Sequence, residues 1–233
     1  MASLDFNSGD FDSGDLDGGN LKSQPIRPLA RAARDIAALL TRLIGSAIAM
    51  ALVLTTGLWS SRTMISNGSA ISTDNYGSWK QWRLEGRRDA DPYSRAHLVG
   101  SGMLRISSDS AGIFEAAADS LGARLHSSCD YVIEGANMGK LWWSISVFDS
   151  HGDLIANDAT RYTFTSDTAA LNPDGSFIVT LGRDARPGNW LPTGGAGRLI
   201  LNYTILDPAT GLSNDARAKR NSLLPAIRRE GCS

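Results

Sequence analysis

Between Leu43 and Ser61 the chain carries no charged residue. A run of about 19 residues, at ~1.5 Å per helical residue, approaches the ~30 Å hydrocarbon thickness of a bilayer. Arg42 and Arg62 bound the run on either side. It reads as a membrane-spanning helix over residues 43–61, with the lipid bilayer as its partner. Lys and Arg close to a span are retained on the cytoplasmic side. Arg27, Arg31, Arg34 and Arg42 precede the run, and only Arg62 and Lys80 follow it at similar range. The expectation is a single-pass membrane protein with a cytoplasmic N-terminus and its C-terminal region on the opposite side. Trp59 suits the headgroup level, where an amphipathic indole is favoured. Arg27, Arg31 and Arg34 share a helical face, which fits either an anionic lipid contact or an ordinary basic flank. A cleaved signal peptide fits less well, because residues 1 to 42 exceed a usual leader and no Ala-x-Ala site follows the run. A buried soluble helix would need apolar partners on every face.

The chain divides around this run into an acidic tail (1–24), a basic flank and transmembrane helix (25–61), a linker (62–78) and a strand-rich domain (79–233). In the tail, Phe6, Phe11, Leu16 and Leu21 recur with a period of five after Asp or Asn, resembling pentapeptide repeats of a four-sided β-helix. Four pentads make about one coil, and a solenoid unit cannot bury its core without stacked neighbours. A disordered acidic tail is therefore expected. Calcium binding is not, since Gly14 stands where the third loop ligand belongs.

Beyond the linker, Trp79, Trp82 and Tyr93 interrupt a charged stretch, and Asp91-Pro92 marks a turn. Residues 113–118 suit a short helix by propensity, yet Asp119-Ser120-Leu121-Gly122 reads as a turn between strands, and periodicity does not decide between them. From Cys129 onward the alternation is clear. Leu141, Trp143, Ile145 and Val147 alternate with Trp142, Ser144, Ser146 and Phe148; Phe177, Val179 and Leu181 follow an Asn-Pro-Asp-Gly turn; Leu199, Leu201, Tyr203 and Ile205 alternate again. Short strands joined by tight turns, with no amphipathic helices between them, predict an antiparallel β-sandwich.

The domain resembles the bacterial family known as domain of unknown function 1214, in a single-span form. The resemblance rests on Asp91-Pro92-Tyr93-Ser94-Arg95-Ala96, residues 129–135 (CDYVIEG), Trp142-Trp143-Ser144-Ile145, Asn157 with Arg161-Tyr162, and Gly188-Asn189-Trp190-Leu191-Pro192. It implies a mainly β fold of jelly-roll type in the bacterial cell envelope, which with the orientation of the span places the anchor in the inner membrane and the C-terminal domain in the periplasm, and it implies no reaction. The tail lies outside it.

The two cysteines, Cys129 and Cys232, both follow the span, and in an oxidising periplasm they can pair. Two unrelated buried thiols are the alternative. No Cys-x-x-Cys pair, His-x-x-x-His pair, nucleophile elbow or phosphate loop is present, so no metal and no cofactor are expected. Asp149 and His151 fall in a predicted turn and read as surface groups. Glu115 and Glu134 would suit polysaccharide hydrolysis only if the fold held them roughly 5 to 10 Å apart. A net charge of −1 and scattered arginines argue against nucleic acid.

Exposed indoles stack on sugars, and Arg and Asn supply directed hydrogen bonds. The expected ligand-binding residues are Trp142, Asn157, Arg161, Arg183, Asn189 and Trp190, with Trp190 alternatively plugging the end of the core. The function expected is an envelope interaction or ligand-binding module, for a glycan or as a subunit of a protein assembly. An envelope polysaccharide hydrolase or lyase is the alternative.

Overall fold

The structure is a computed structural model that describes residues 27–101, 106–206 and 222–232. The acidic tail and its repeats lie outside the described residues. Two compact units divide at Thr55/Thr56. The first holds most of helix α1 (Arg27–Asn67, 41 residues). Its segment 31–67 is long and apolar enough to cross a membrane, and none of that apolar window is buried within the protein. Ile44, Leu52, Val53 and Leu54 are all more than half exposed.

The second unit is mainly β, with two sheets packed face to face. Ten strands are described: β1 (Thr73–Tyr76), β2 (Trp79–Trp82), β3 (Ala111–Ala116), β4 (Cys129–Gly135), β5 (Trp142–Asp149), β6 (Thr163–Thr165), β7 (Phe177–Gly182), β8 (Asn189–Pro192), β9 (Leu199–Leu206) and β10 (Ala226–Cys232). One sheet has the order β1-β2-β3-β9-β5-β6 and the other β10-β4-β7-β8. The expected antiparallel sandwich needs one correction. β8 runs parallel to β7, with Val179 opposite Asn189 and Gly182 opposite Pro192, so the smaller sheet is mixed.

The large sheet follows from the period-two pattern. Ile145 lies between Tyr203 and Phe164 on the inner face, while Ser144, Thr204 and Thr165, and then Ser146, Asn202 and Thr163, form polar rows outside. The same parity in β7 turns Phe177, Val179 and Leu181 inward. Trp143 of one sheet stacks on Phe177 of the other at 3.9 Å between ring centroids and 20° between planes, with Tyr203 packed beside both. This aromatic contact joins the sheets. Burial holds the Tyr203 phenol un-ionised, raising its pKa far above the usual value.

Gly135 is a close-approach position. It lies opposite Phe177, and a Cβ there would sit 2.0 Å from Phe177 Cζ. The Phe177 ring, held against Trp143, has nowhere to retreat. Gly135→Ala is expected to lower unfolding free energy by about 1 to 3 kcal/mol, the usual cost of overpacking. A urea titration of the detergent-solubilised protein measures it, and an unchanged midpoint would contradict this packing.

Within residues 62–78 lie the last turns of α1 and strand β1. Residues 113–116 resolve as strand β3, and Asp119 with Gly122 forms the turn after it. Asp91-Pro92 opens helix α2 (Pro92–Ser101): Asp91 Oδ1 accepts from the N–H groups of Tyr93 and Ser94 at 2.9 and 3.0 Å. The extended conformation that proline imposes on Asp91 is the one an N-cap adopts, and proline suits the first helical position.

Candidate functional site

At one end of the sandwich the β4–β5 connection, the turn after β6 and the turn before β7 surround a pocket of about 400 Å³. Trp143 forms part of its wall, with Met138 and Leu141 among the apolar lining and Lys140, Ser166 and Asp167 among the polar lining. Each loop is braced. Asn137 Nδ2 donates to Asp174 O at 2.7 Å, and Asn137 Oδ1 accepts from Gly139 N at 2.7 Å, tying the β4–β5 connection to the turn before β7. Gly175 takes φ 82° there, and a Cβ would meet Asn137 Nδ2 at 2.3 Å. After β6, Thr165 N donates to Thr168 Oγ1 at 2.9 Å and Ser166 N donates to Trp143 O at 2.9 Å. The Ser176 hydroxyl, followed by its backbone N–H, holds the Asp174 carboxyl below the usual carboxylate range.

Trp142 points to the opposite face of β5 from Trp143 and is half-buried. Its indole N–H donates to Asp167 Oδ2 at 3.1 Å, which orients that carboxylate beside the pocket. Lys140 is exposed, and no carboxylate pairs with it among the described residues. An acceptor-only carboxylate, a donor-only ammonium and a hydroxyl therefore share the rim of a partly apolar pocket. That set can both accept hydrogen bonds from a bound molecule and donate to it.

None of the other residues expected from the sequence is among those lining this pocket. Asn157 closes the loop before β6: its Oδ1 accepts from Arg161 N at 3.0 Å and its Nδ2 donates to Ile155 O and Arg161 O. Thr160, inside that loop, adopts φ 49°. The Arg161 guanidinium lies 5.6 Å from the Phe164 ring centroid and reaches Trp190 O at 3.5 Å. Asn189 is buried, its Oδ1 accepting from Ala170 N and its Nδ2 donating to Ala170 O and Ile178 O. Both amide hydrogens are consumed in holding β8. Trp190 is half-buried with its N–H on Gly182 O at 3.1 Å, and Arg183 Nε donates to Gly194 O at 3.1 Å. The pairing of Ser146 with Thr163 and Ser144 with Thr165 sets Arg161 and Trp142 toward opposite ends of β5 and β6. Of the six, Trp142 reaches the pocket through Asp167, while Arg161 and Trp190 are neighbours of each other.

Cys129 and Cys232 stand directly opposite each other in β4 and β10 and form a disulfide. Asp149 Oδ1 accepts from His151 N and Asp153 N, a turn geometry, and these two N–H groups, that of Asp153 first, hold the Asp149 carboxyl low. Glu115 is on β3 of the large sheet between inward-facing Phe114 and Ala116, whereas Glu134 is exposed on β4 of the smaller sheet and pairs with Arg228 at 3.1 Å. The two carboxylates project from outer faces of different sheets, which pack ~10 Å apart before side chains are counted. They face no common groove.

Lys140, Ser166 and Asp167 were not legible as site residues. The Gly139 turn signals a loop, but only the sheet register brings that loop to Asp167.

Residues 110–210 match the family model described as Protein of unknown function (DUF1214). Among solved structures, the chain is similar to the VPA0106 protein from Vibrio parahaemolyticus, at 17% identity and TM-score 0.49, covering 76% of this chain and 43% of that one. It is also similar to an uncharacterized protein from Burkholderia cenocepacia, at 14% identity and TM-score 0.39, covering 74% of this chain and 40% of that one. The chain thus spans less than half the length of either. No curated protein matches it.

Proposed function

We propose that the protein, whose residues 110–210 match the DUF1214 family model, is a membrane-anchored, glycan-binding module of the bacterial cell envelope. The anchor is α1 over residues 43–61, with the N-terminus cytoplasmic and the β-domain periplasmic. The apolar helix and the Cys129–Cys232 disulfide support this placement, since structural disulfides persist in oxidising compartments.

The observation that carries the binding role is the braced pocket with Lys140 and Asp167 at its rim. Sugar hydroxyls donate to Asp167 and accept from Lys140, and Trp142 acts as a positioning residue by holding the carboxylate. The separation of Glu115 and Glu134 speaks against these two as the carboxyl pair of a hydrolase.

The test is calorimetric titration of the full-length, detergent-solubilised protein with soluble fragments of envelope polysaccharide. A hydrogen bond to a charged group contributes about 1.5 to 3 kcal/mol. Asp167→Asn and Lys140→Ala are each expected to weaken binding by roughly ten- to a hundredfold, with thermal unfolding unchanged. Binding that ignores both substitutions, or no binding by the wild type, would overturn the assignment.

A further inference from the structure

A second groove lies where α1 leaves its apolar stretch, and we propose that it binds a membrane phospholipid. This inference rests on the reading of α1 as a membrane anchor. Leu58, Ser61, Arg62, Ile65 and Ser66 form one wall. They are spaced i, i+3, i+4, i+7 and i+8, so they share one helical face. Against them α2 contributes His97, Gly100 and Ser101, and the space enclosed is about 710 Å³. The groove is built rather than incidental. His97 stacks on Trp82 at 4.0 Å between ring centroids, and its Nδ1 lies 3.0 Å from Ile65 O, which fixes α2 against the end of α1.

Charge and depth select the occupant. Leu58 and Trp59 are 72% and 73% exposed, and on the facing helix Val99 is 81% exposed. Apolar groups so uncovered belong at the hydrocarbon boundary rather than in water. Arg62 is one turn further along, about 5 to 6 Å beyond Leu58, which is the depth of the headgroup layer. Its guanidinium has no carboxylate partner among the described residues. Guanidinium pairs with phosphate in a two-point geometry. The phosphodiester of a phospholipid therefore sits on Arg62, with the Ser61 hydroxyl beside it as a donor, while Ser66 and Ser101 give their hydroxyl hydrogens to Arg62 O and Leu98 O, and an acyl chain follows Leu58 and Ile65 into the bilayer. The bound lipid would seat α2, and with it the β-domain, at the membrane surface.

Gly100 supplies a clean perturbation, because a Cβ there meets nothing within 4 Å and a larger side chain projects into open space. The full-length protein is first tested by alkaline carbonate extraction of its native membranes. It is then placed in nanodiscs of phosphatidylethanolamine and phosphatidylglycerol, released, and its retained lipids counted by native mass spectrometry. Wild type should keep one phospholipid per chain through delipidation. Gly100→Leu should lose it by occupying the groove, and Arg62→Gln should lower its retention about tenfold, both with unchanged circular dichroism. Release by carbonate would overturn the anchor and the groove together. Firm anchoring with equal lipid retention in all three proteins, or with none in the wild type, would overturn the groove alone.

Discussion

Replacing Cys232 with serine is expected to lower the stability of the β-domain by about 4 to 5 kcal/mol, the largest single-residue effect anticipated here. The disulfide joins residues separated by 103 positions, so the loop it closes contains β4 through β10. In the chain-entropy account, the bond removes conformations chiefly from the unfolded state, and the loss grows with loop length. The bond also holds the last pair of an edge strand, where Cys232 faces Cys129. The other end of β10 has separate fastenings. Trp79 Nε1 donates to Pro225 O at 2.7 Å, Ser120 Oγ accepts from Ile227 N at 2.9 Å, and Arg229 reaches the buried Asp119 carboxylate at 3.1 Å. Loss of the bond should therefore lower the urea midpoint globally while exposing amides first near Gly231 and Cys232, beyond the bulge that follows Arg229. Hydrogen exchange on the Cys232→Ser protein separates these two effects. A midpoint equal to that of the oxidised wild type would exclude a stabilising role for the bond.

Trp143→Ala should cost about 3 to 5 kcal/mol, the range for deleting a large buried aromatic side chain. Trp143 is only 2% exposed, stacks on Phe177 and packs beside Tyr203, so truncation opens a cavity at the junction of the two sheets. Trp143 also lines the end pocket, and this couples stability to binding. Phe at this position keeps the stacked ring and should recover more than half of the loss. The pair of variants distinguishes packing from polarity, because Phe restores ring area without an indole N–H. Equal destabilisation by Ala and Phe, read from urea midpoints with unchanged m-values, would count against the stacking account.

Hydropathy alone located the helix that can cross a membrane, since the charge-free run makes a local demand independent of the rest of the chain. Period-two alternation likewise placed β5, β7 and β9 and assigned Trp143, Ile145, Tyr203 and Val179 to the interior, because the pleat converts sequence parity directly into facing. Other elements depended on long-range contacts. The segment Arg228-Arg229-Glu230 has no apolar alternation, yet it belongs to β10 because β4 pairs with it through Val132 and Tyr131, and the strand's last residue, Cys232, is bonded to Cys129. Asp91-Pro92 permits a turn or a helix start, and the capping bonds to Tyr93 and Ser94 selected the helix. Asn189 reads as an exposed loop amide until the parallel pairing of β8 with β7 buries it against Ala170 and Ile178. The end pocket was the least legible feature. Lys140 and Asp167 are distant in sequence, and neither belongs to a motif; sheet register and two loop braces bring them to one rim. Local propensity and hydropathy are properties of neighbouring residues and can be read from the chain, whereas burial of a polar group and convergence of a site are properties of the partners that folding delivers.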